Sequence, residues 1–340
     1  MTRTEISTLG EFGLIERLTK DFAPQNSSTL RGIGDDAAVI DNGSLATVVS
    51  TDLLVEGIHF DLMYTPLKHL GYKAVVVNLS DIYAMNAQPK QITVSLAISN
   101  RFSVEALEEL YEGIREACKR YGVDLVGGDT TSSLKGFVIS VTAIGQGDPK
   151  KLTYRNGAKV GDLLCVTGDL GAAYLGLQIL EREKQLYLAS PDVQPDLEQQ
   201  DYLIGRQLKP EARQDMIAMF SKNNLVPTAM IDVSDGLASE IFHLCKQSGV
   251  GALVEESGVP IHPEAQLMAL KFQLDPITCA LSGGEDYELL FTIDPKDVEK
   301  IKYLPDIYIM GEMTAPEDGI QLHTKGGNLH QLKAQGWTNF

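Results

Sequence analysis

The most regular pattern in the chain lies at 104–121, where Val104, Leu107, Leu110, Tyr111, Ile114, Ala117, Cys118 and Tyr121 recur at steps of three and four. That is the period of one helix face, and Glu105, Glu108, Glu109 and Glu112 fall on the other. Ser103 stands where an N-cap is needed, although Ala106 holds the position at which a capping box would place Glu. A shorter amphipathic helix is predicted around Phe12, Ile15 and Leu18. A third covers 68–85, apolar for most of its length, with residues 78–81 placing polar groups on one face.

Apolar runs predict strands at 37–40 and 45–50, joined by a hairpin turn at Asp41-Asn42-Gly43-Ser44, and the alternation at 91–99 predicts another. Further strands are expected at 124–126 and 137–144, while 23–30 is polar and reads as a loop. The Gly, Pro and Asp punctuation of 145–151 suggests a boundary, giving an N-terminal domain over 1–149 and a C-terminal domain over 150–340. Beyond it come a strand at 162–166, a helix at 170–180 and a polar excursion at 181–210 rich in Glu, Gln and Pro. A strand at 230–233, a helix at 237–247 and strands at 253–255, 287–293 and 308–310 complete a second mixed sheet. Helices and strands alternate irregularly and no internal repeat is seen, so the fold class is mixed α/β with α+β character.

At 340 residues the chain exceeds one ordinary core, which agrees with two domains. Its 44% hydrophobic and 22% charged residues are those of a soluble globular protein. The net charge of -17 argues against nucleic acid, whose binding depends on Lys and Arg neutralising phosphates. Cys118, Cys165, Cys245 and Cys279 lie far apart and suggest neither zinc nor a disulfide framework. Apolar runs such as 74–77 are far short of a membrane span and no charged-then-apolar leader opens the chain, so a cytoplasmic protein is expected.

Charge becomes informative where the acids are. Asp35, Asp36, Asp52, Asp81, Asp129, Asp232 and Asp235 sit in short turn-like or strand-end motifs with almost no Lys or Arg beside them. A single loop aspartate is ordinarily a turn former. Several such motifs, each following an apolar segment, present carboxylates from rigid strand ends. Carboxylates gathered without counter-charge repel one another, and hard oxygen donors of this kind suit Mg²⁺. Mg²⁺-dependent phosphoryl transfer follows as the expected chemistry. The glycine pairs at 127–128 and 283–284 lack the Walker spacing, and neither a Rossmann fingerprint nor a Gly-x-Ser-x-Gly elbow is present.

In order along the chain stand Gly-Ile-Gly-Asp-Asp-Ala-Ala (32–38), Ser-Thr-Asp-x3-Glu-Gly-x-His-Phe (50–60) and Lys-Ala-x3-Asn-Leu-Ser-Asp (73–81). Gly-Gly-Asp-Thr-Thr (127–131), Asp-Val-Ser-Asp-Gly-Leu (232–237) and Ser-Gly-Gly-Glu-Asp-Tyr-Glu-Leu (282–289) follow. Over about 10–340 this combination closely resembles the thiamine-monophosphate kinases of the aminoimidazole-ribonucleotide-synthetase-like superfamily. Tyr83 and Asn86 depart from the family's alanine and glycine. Asn tolerates positive φ, so the turn is expected to survive, while Tyr83 bears on the shape of the pocket.

The resemblance implies ATP-dependent phosphorylation of thiamine phosphate to thiamine diphosphate, with several Mg²⁺ ions. It puts the metal ligands on Asp36, Ser50, Thr51, Asp52, Asp81, Asp129, Asp232 and Asp235, and ATP contacts on Tyr111, Gly128, Asp129, Arg155 and Ser234. The thiamine side falls on His59, Glu285 and Trp337. For Trp337, the only tryptophan, stacking on the thiazolium competes with a role as a core anchor for the tail. The implied fold pairs the N-terminal sheet with that of a second subunit, hence a homodimer. Aminoimidazole ribonucleotide synthetase, selenophosphate synthetase and the hydrogenase-maturation dehydratase share the same aspartate logic. Selenophosphate synthetase would carry a reactive Cys or selenocysteine near its N-terminus, whereas the first cysteine here is Cys118. A non-catalytic Mg²⁺- and nucleotide-binding regulator is the alternative from another class, and product formation separates it from an enzyme.

Overall fold

The computed structural model describes residues 9–333, so Trp337 lies outside the described residues. The first part of the chain forms α1 (Gly10–Thr19), β1 (Thr29–Arg31), β2 (Ala38–Asp41), β3 (Ala46–Val55) and α2 (Leu67–Ala84). It continues through β4 (Gln88–Ile98), α3 (Val104–Tyr121), β5 (Asp124–Ser132) and β6 (Val138–Gly147). The second part opens with β7 (Leu163–Thr167), α4 (Ala172–Ala189), α5 (Asp201–Leu208), α6 (Gln214–Lys222) and β8 (Ala229–Asp232). Next come α7 (Leu237–Ser248), β9 (Gly251–Glu255), α8 (Pro263–Lys271), α9 (Pro276–Ser282) and β10 (Leu289–Ile293). α10 (Val298–Ile301), β11 (Ile307–Thr314), β12 (Ile320–His323) and β13 (Leu329–Gln331) finish it.

Strands of the first part make a sheet in the order β1-β2-β3-β6-β4-β5, antiparallel except for β4 with β5. The second sheet runs β13-β12-β9-β11-β7-β10-β8, with β12 and β9 its parallel pair. Burial alternates along β6, so Ile139, Val141 and Ala143 all turn to one side. α2 covers that side and meets β3, β4 and β6. On its far flank α2 reaches β8 of the second sheet, whose Cys165, Met230 and Phe291 share one core with Val75, Leu79 and Ile82. Leu164, Val166, Ile231 and Leu290, the alternate residues of the same strands, pack into a separate core with α7. α2 is therefore sandwiched between two sheets, which is why it is apolar nearly all round.

The expected α3 is found as read, with Ser103 accepting a hydrogen bond from the Ala106 N–H. α2 and α3 approach so closely that a Cβ on Gly71 would stand 2.0 Å from the Leu110 carbonyl oxygen, and one on Gly113 would stand 1.8 Å from that of Lys68. Asn86 takes φ 54°, as the turn requires. Tyr83 is fully buried against Tyr121 in the core, so its influence runs through packing.

The polar excursion at 181–210 is largely helical, since α4 runs on to Ala189 and α5 occupies Asp201–Leu208. Its few apolar anchors, Leu203 among them, are spread through Glu, Lys and Gln, which hides the helical period. The strand foreseen at 124–126 extends to Ser132, its Gly-Gly pair lying within a strand instead of ending one. Among the described residues no helix is long and apolar enough to cross a membrane.

The α2–α3 contact can be tested. Gly71→Ala should cost about 1–3 kcal/mol, because the added methyl meets backbone with no room to move. A denaturant midpoint equal to that of the parent chain would contradict this close approach.

Candidate active site

Near its C-terminal end α2 stops being apolar, and each polar group there reaches a neighbouring strand. Asn78 donates to the Ala74 carbonyl at 3.0 Å, and its Oδ1 accepts the Asp52 N–H of β3 at 2.9 Å. Ser80 donates to Asp232 at the end of β8 at 2.6 Å. Asp81 accepts from Ser50 of β3. A buried polar group must find a partner, so these bonds fix both sheets on α2.

The result is a gathering of acids. One carboxylate oxygen each from Asp36, Asp81 and Asp232 lies within 4.8 Å of the others. Asp81 is raised well above the ordinary carboxylate range, first by burial and then by the charges of Asp52, Asp232 and Asp36. Asp232 is pushed up to about 7, by burial and then Asp36. Asp52 and Asp235 border the group, both raised to about 6, by burial and then by Glu11 of α1. The absence of counter-charge suggested by the sequence is only local. Arg155 donates twice to Asp36 Oδ1, at 3.1 and 2.6 Å, and Arg31 pairs with Asp35 at 2.8 Å.

These donors suit a divalent cation. All are hard oxygens from three separate segments, and among the described residues the buried Asp36 Oδ2 has no hydrogen-bond partner.

The remaining residues singled out from the sequence fall in distinct places. Thr51, exposed, turns its hydroxyl to the Val141 carbonyl at 3.0 Å, on the strand face opposite Ser50 and Asp52. Asp129 stands apart from the three clustered acids. With Gly128 and Tyr111 it lines a shallow cavity of about 380 Å³ between β5 and α3. The Ser234 carbonyl accepts the Glu285 N–H at 2.7 Å, and the Asp235 N–H is capped by Glu240 at 3.1 Å. His59 accepts the Val55 N–H on Nδ1 at 3.0 Å, and burial holds it below its usual range against the opposing charge of Glu285. Glu285 itself accepts from Lys73 and Gln207.

With this geometry in hand, the comparisons are decisive. AIR synthase related protein, N-terminal domain, matches residues 34–146, and the C-terminal domain of the same description matches 159–322. The thiamine-monophosphate kinase of Bacillus subtilis is 36% identical over 298 residues, 86% of each chain. That of Aquifex aeolicus is 33% identical over 335 residues, 98% of this chain and 99% of its own. The chain belongs to the thiamine-monophosphate kinase family. A solved chain described as AaThiL complexed with AMPPCP and TMP superposes with a TM-score of 0.84 at 31% identity, covering all of both chains. The hydrogenase maturation protein HypE in complex with ATP, 20% identical with a TM-score of 0.68, shares the fold alone.

Against this family background, several groups around the site carried no role in the sequence reading. Lys73 and Asn78 lie inside one of the motifs, and only the fold shows them as buried partners of the Glu285 carboxylate and the Asp52 N–H. Glu240, buried behind Asp235, and Gln207, in the supposed excursion, had no local signal at all.

The clustered acids make stability depend on pH. The folded pKa values of Asp52, Asp81, Asp232 and Asp235 lie above the unfolded value of about 3.9, so the folded chain holds protons that the unfolded chain has released. Their contribution is therefore greatest at low pH and is lost as pH rises through the folded values of about 6 to 7. In chelator, the melting temperature should fall between pH about 5.5 and about 8, and Mg²⁺ should restore more at the higher pH, where proton competition has ended. Equal Mg²⁺ stabilisation at both pH values would contradict the assignment.

Proposed function

We propose that this chain transfers the γ-phosphoryl of ATP to thiamine phosphate, giving thiamine diphosphate. The observation that carries the reading is the buried convergence of Asp36, Asp81 and Asp232 between the two sheets, in a chain of this family. The acceptor is a phosphate monoester whose second pKa is about 6, so at neutral pH it is mostly a dianion and already nucleophilic. No general base is required. The barrier is the approach of one polyanion to another, and positioning with charge stabilisation is what the protein must supply.

Asp36, Asp81 and Asp232, with Asp52 and Asp235 beside them and Ser50 on β3, would hold Mg²⁺ and Asp129 would hold a further ion from β5, whereas the Thr51 hydroxyl, on the other face of β3, would supply no side-chain ligand to the cluster. Bound there, Mg²⁺ supplies the positive charge that lets the phosphates approach and align. Arg155, a planar fork already committed to Asp36, neutralises further phosphate charge. Tyr111, Gly128 and Ser234 take the nucleotide. Because His59 uses Nδ1 as an acceptor, its neutral ring carries the proton on Nε2 and offers it to the acceptor molecule. Glu285 and Trp337 take the thiamine end.

The division at 149/150 into a nucleotide-binding and a C-terminal domain, a cytoplasmic setting and a two-fold dimer belong to the same reading. β5 bonds to β4 on one side, is exposed throughout and carries Leu125 and Val126 at the surface, the kind of sheet edge that pairing with a second copy covers.

The test is product formation from ATP and thiamine phosphate with Mg²⁺. Asp81→Asn and Asp232→Asn keep shape while removing a ligand charge, and each should lower turnover roughly a hundredfold or more, the several kcal/mol that metal-held charge contributes. Failure of the parent chain to form thiamine diphosphate, or undiminished turnover of both variants, would overturn the reading.

A further inference from the structure

The segment read from sequence as a polar excursion, with the α5–α6 turn that follows it, supplies an arginine pair and a glutamine to one short loop. Residues 283–288 connect α9 to β10, and side chains along 285–288 alternate between two surroundings. Asp286 and Glu288, each 1% exposed, turn inward. Glu288 accepts from Arg206 at 3.0 Å, from Arg213 at 2.6 Å and from the Thr167 hydroxyl at 2.6 Å. Asp286 accepts the Gly171 N–H at 2.8 Å, while Arg206 also donates to the Asp286 and Asp169 carbonyls.

Glu285 and Tyr287, the intervening residues, take φ values of 57° and 53°. Side chains other than glycine seldom occupy that region, and they persist there only where the surroundings over-determine the backbone. Here the Glu285 and Tyr287 N–H groups bond to the carbonyls of Ser234 and Val233, at 2.7 and 2.9 Å. The loop is thus seated on the segment that carries Asp232 and Asp235.

The Glu285 carboxylate is held in turn. Gln207 Nε2 donates to it at 2.6 Å and Lys73 Nζ at 3.0 Å, and Lys73 also donates to the Gln207 carbonyl at 3.0 Å. Both donors are buried. Adjacent residues of α5 therefore act on the two sides of one loop: Arg206 anchors its inward carboxylate, and Gln207 fixes its outward one. Unheld, a glutamate side chain would spread over many rotamers, and a substrate would have to order it on binding.

We propose that Gln207 is a positioning residue that fixes the Glu285 carboxylate for the thiamine end of the acceptor, with Lys73 and Arg206 completing the support. This rests on the reading of Glu285 given under Proposed function. It assigns α5 a part in acceptor recognition and none in nucleotide binding.

The experiment is steady-state kinetics of the full chain with Mg²⁺, ATP and thiamine phosphate, on Gln207→Leu, Glu285→Gln and the double variant. Among the described residues the buried Gln207 Oε1 has no hydrogen-bond partner, so leucine removes one bond and one unsatisfied acceptor with little change of volume. Gln207→Leu should raise the KM for thiamine phosphate on the order of tenfold, as loss of a charge-assisted hydrogen bond does. The KM for ATP should move by less than about twofold. In the Glu285→Gln background the same change should add little, since the two residues act as a unit. If Glu285→Gln raises the thiamine phosphate KM and Gln207→Leu does not, the positioning role is overturned while the reading of Glu285 stands. If neither raises it, both fall. Equal rises in both KM values, or effects that multiply in the double variant, mark a merely structural residue and overturn the proposal. Should Gln207→Leu fail to fold, Gln207→Met enters the same cycle.

Discussion

Three carboxylates from three distant segments, held within 4.8 Å of one another beneath the surface, repel by any reckoning, and the structure is arranged around tolerating that repulsion. Asp81 is presented by α2, Asp232 by the end of β8 and Asp36 by the loop before β2. They meet because α2 is packed between the two sheets and its polar end bonds outward to both, through Ser80 to one and Asn78 and Asp81 to the other. Neither sheet alone contains the cluster. Packing of the two parts on α2 and assembly of the site are one event.

The same logic governs the acids that stand behind the site. Asp286 and Glu288 are more deeply buried than the clustered aspartates, and each is bonded to backbone amides, hydroxyls or arginines from α5 and the α5–α6 turn. Buried acids whose bonding is satisfied rigidify their surroundings, whereas an acid with an unpartnered oxygen, such as Asp36, suits a cation. Glu288 draws on two arginines, while Asp81 and Asp232 accept from one serine hydroxyl each and leave the cluster short of positive charge. That shortage also accounts for a chain with a net charge of -17 that handles phosphates, since the positive charge arrives with the reactants.

Much of this was legible in the sequence. The helix at Val104–Tyr121 was readable because its face is long and regular, and the aspartate motifs because glycine and strand-like residues frame them. α5 was not, since its eight residues span little more than two turns, too few for a period to stand out behind a stretch rich in Glu, Gln and Pro. The supporting groups were missed for a different reason. Gln207 meets Glu285 across 78 residues and Ser80 meets Asp232 across 152, and no local pattern encodes a contact of that separation. The motifs named the acids but left open which would meet. Thr51, one residue from Asp52, has its hydroxyl on the other face of β3, whereas Asp36 and Asp232 come together from segments far apart in the sequence.

The central claim is that the Asp36, Asp81 and Asp232 cluster is a metal centre on which ATP phosphates are held. A crystal structure with Mn²⁺ and a non-hydrolysable ATP analogue tests it most directly, because anomalous scattering locates the metal independently of the refined coordinates. The account predicts metal between these carboxylates at oxygen distances of about 2.0–2.2 Å, shared with the nucleotide's phosphates. Nucleotide bound with metal elsewhere, and Arg155 still paired with Asp36 in a cluster free of anomalous density, would contradict it.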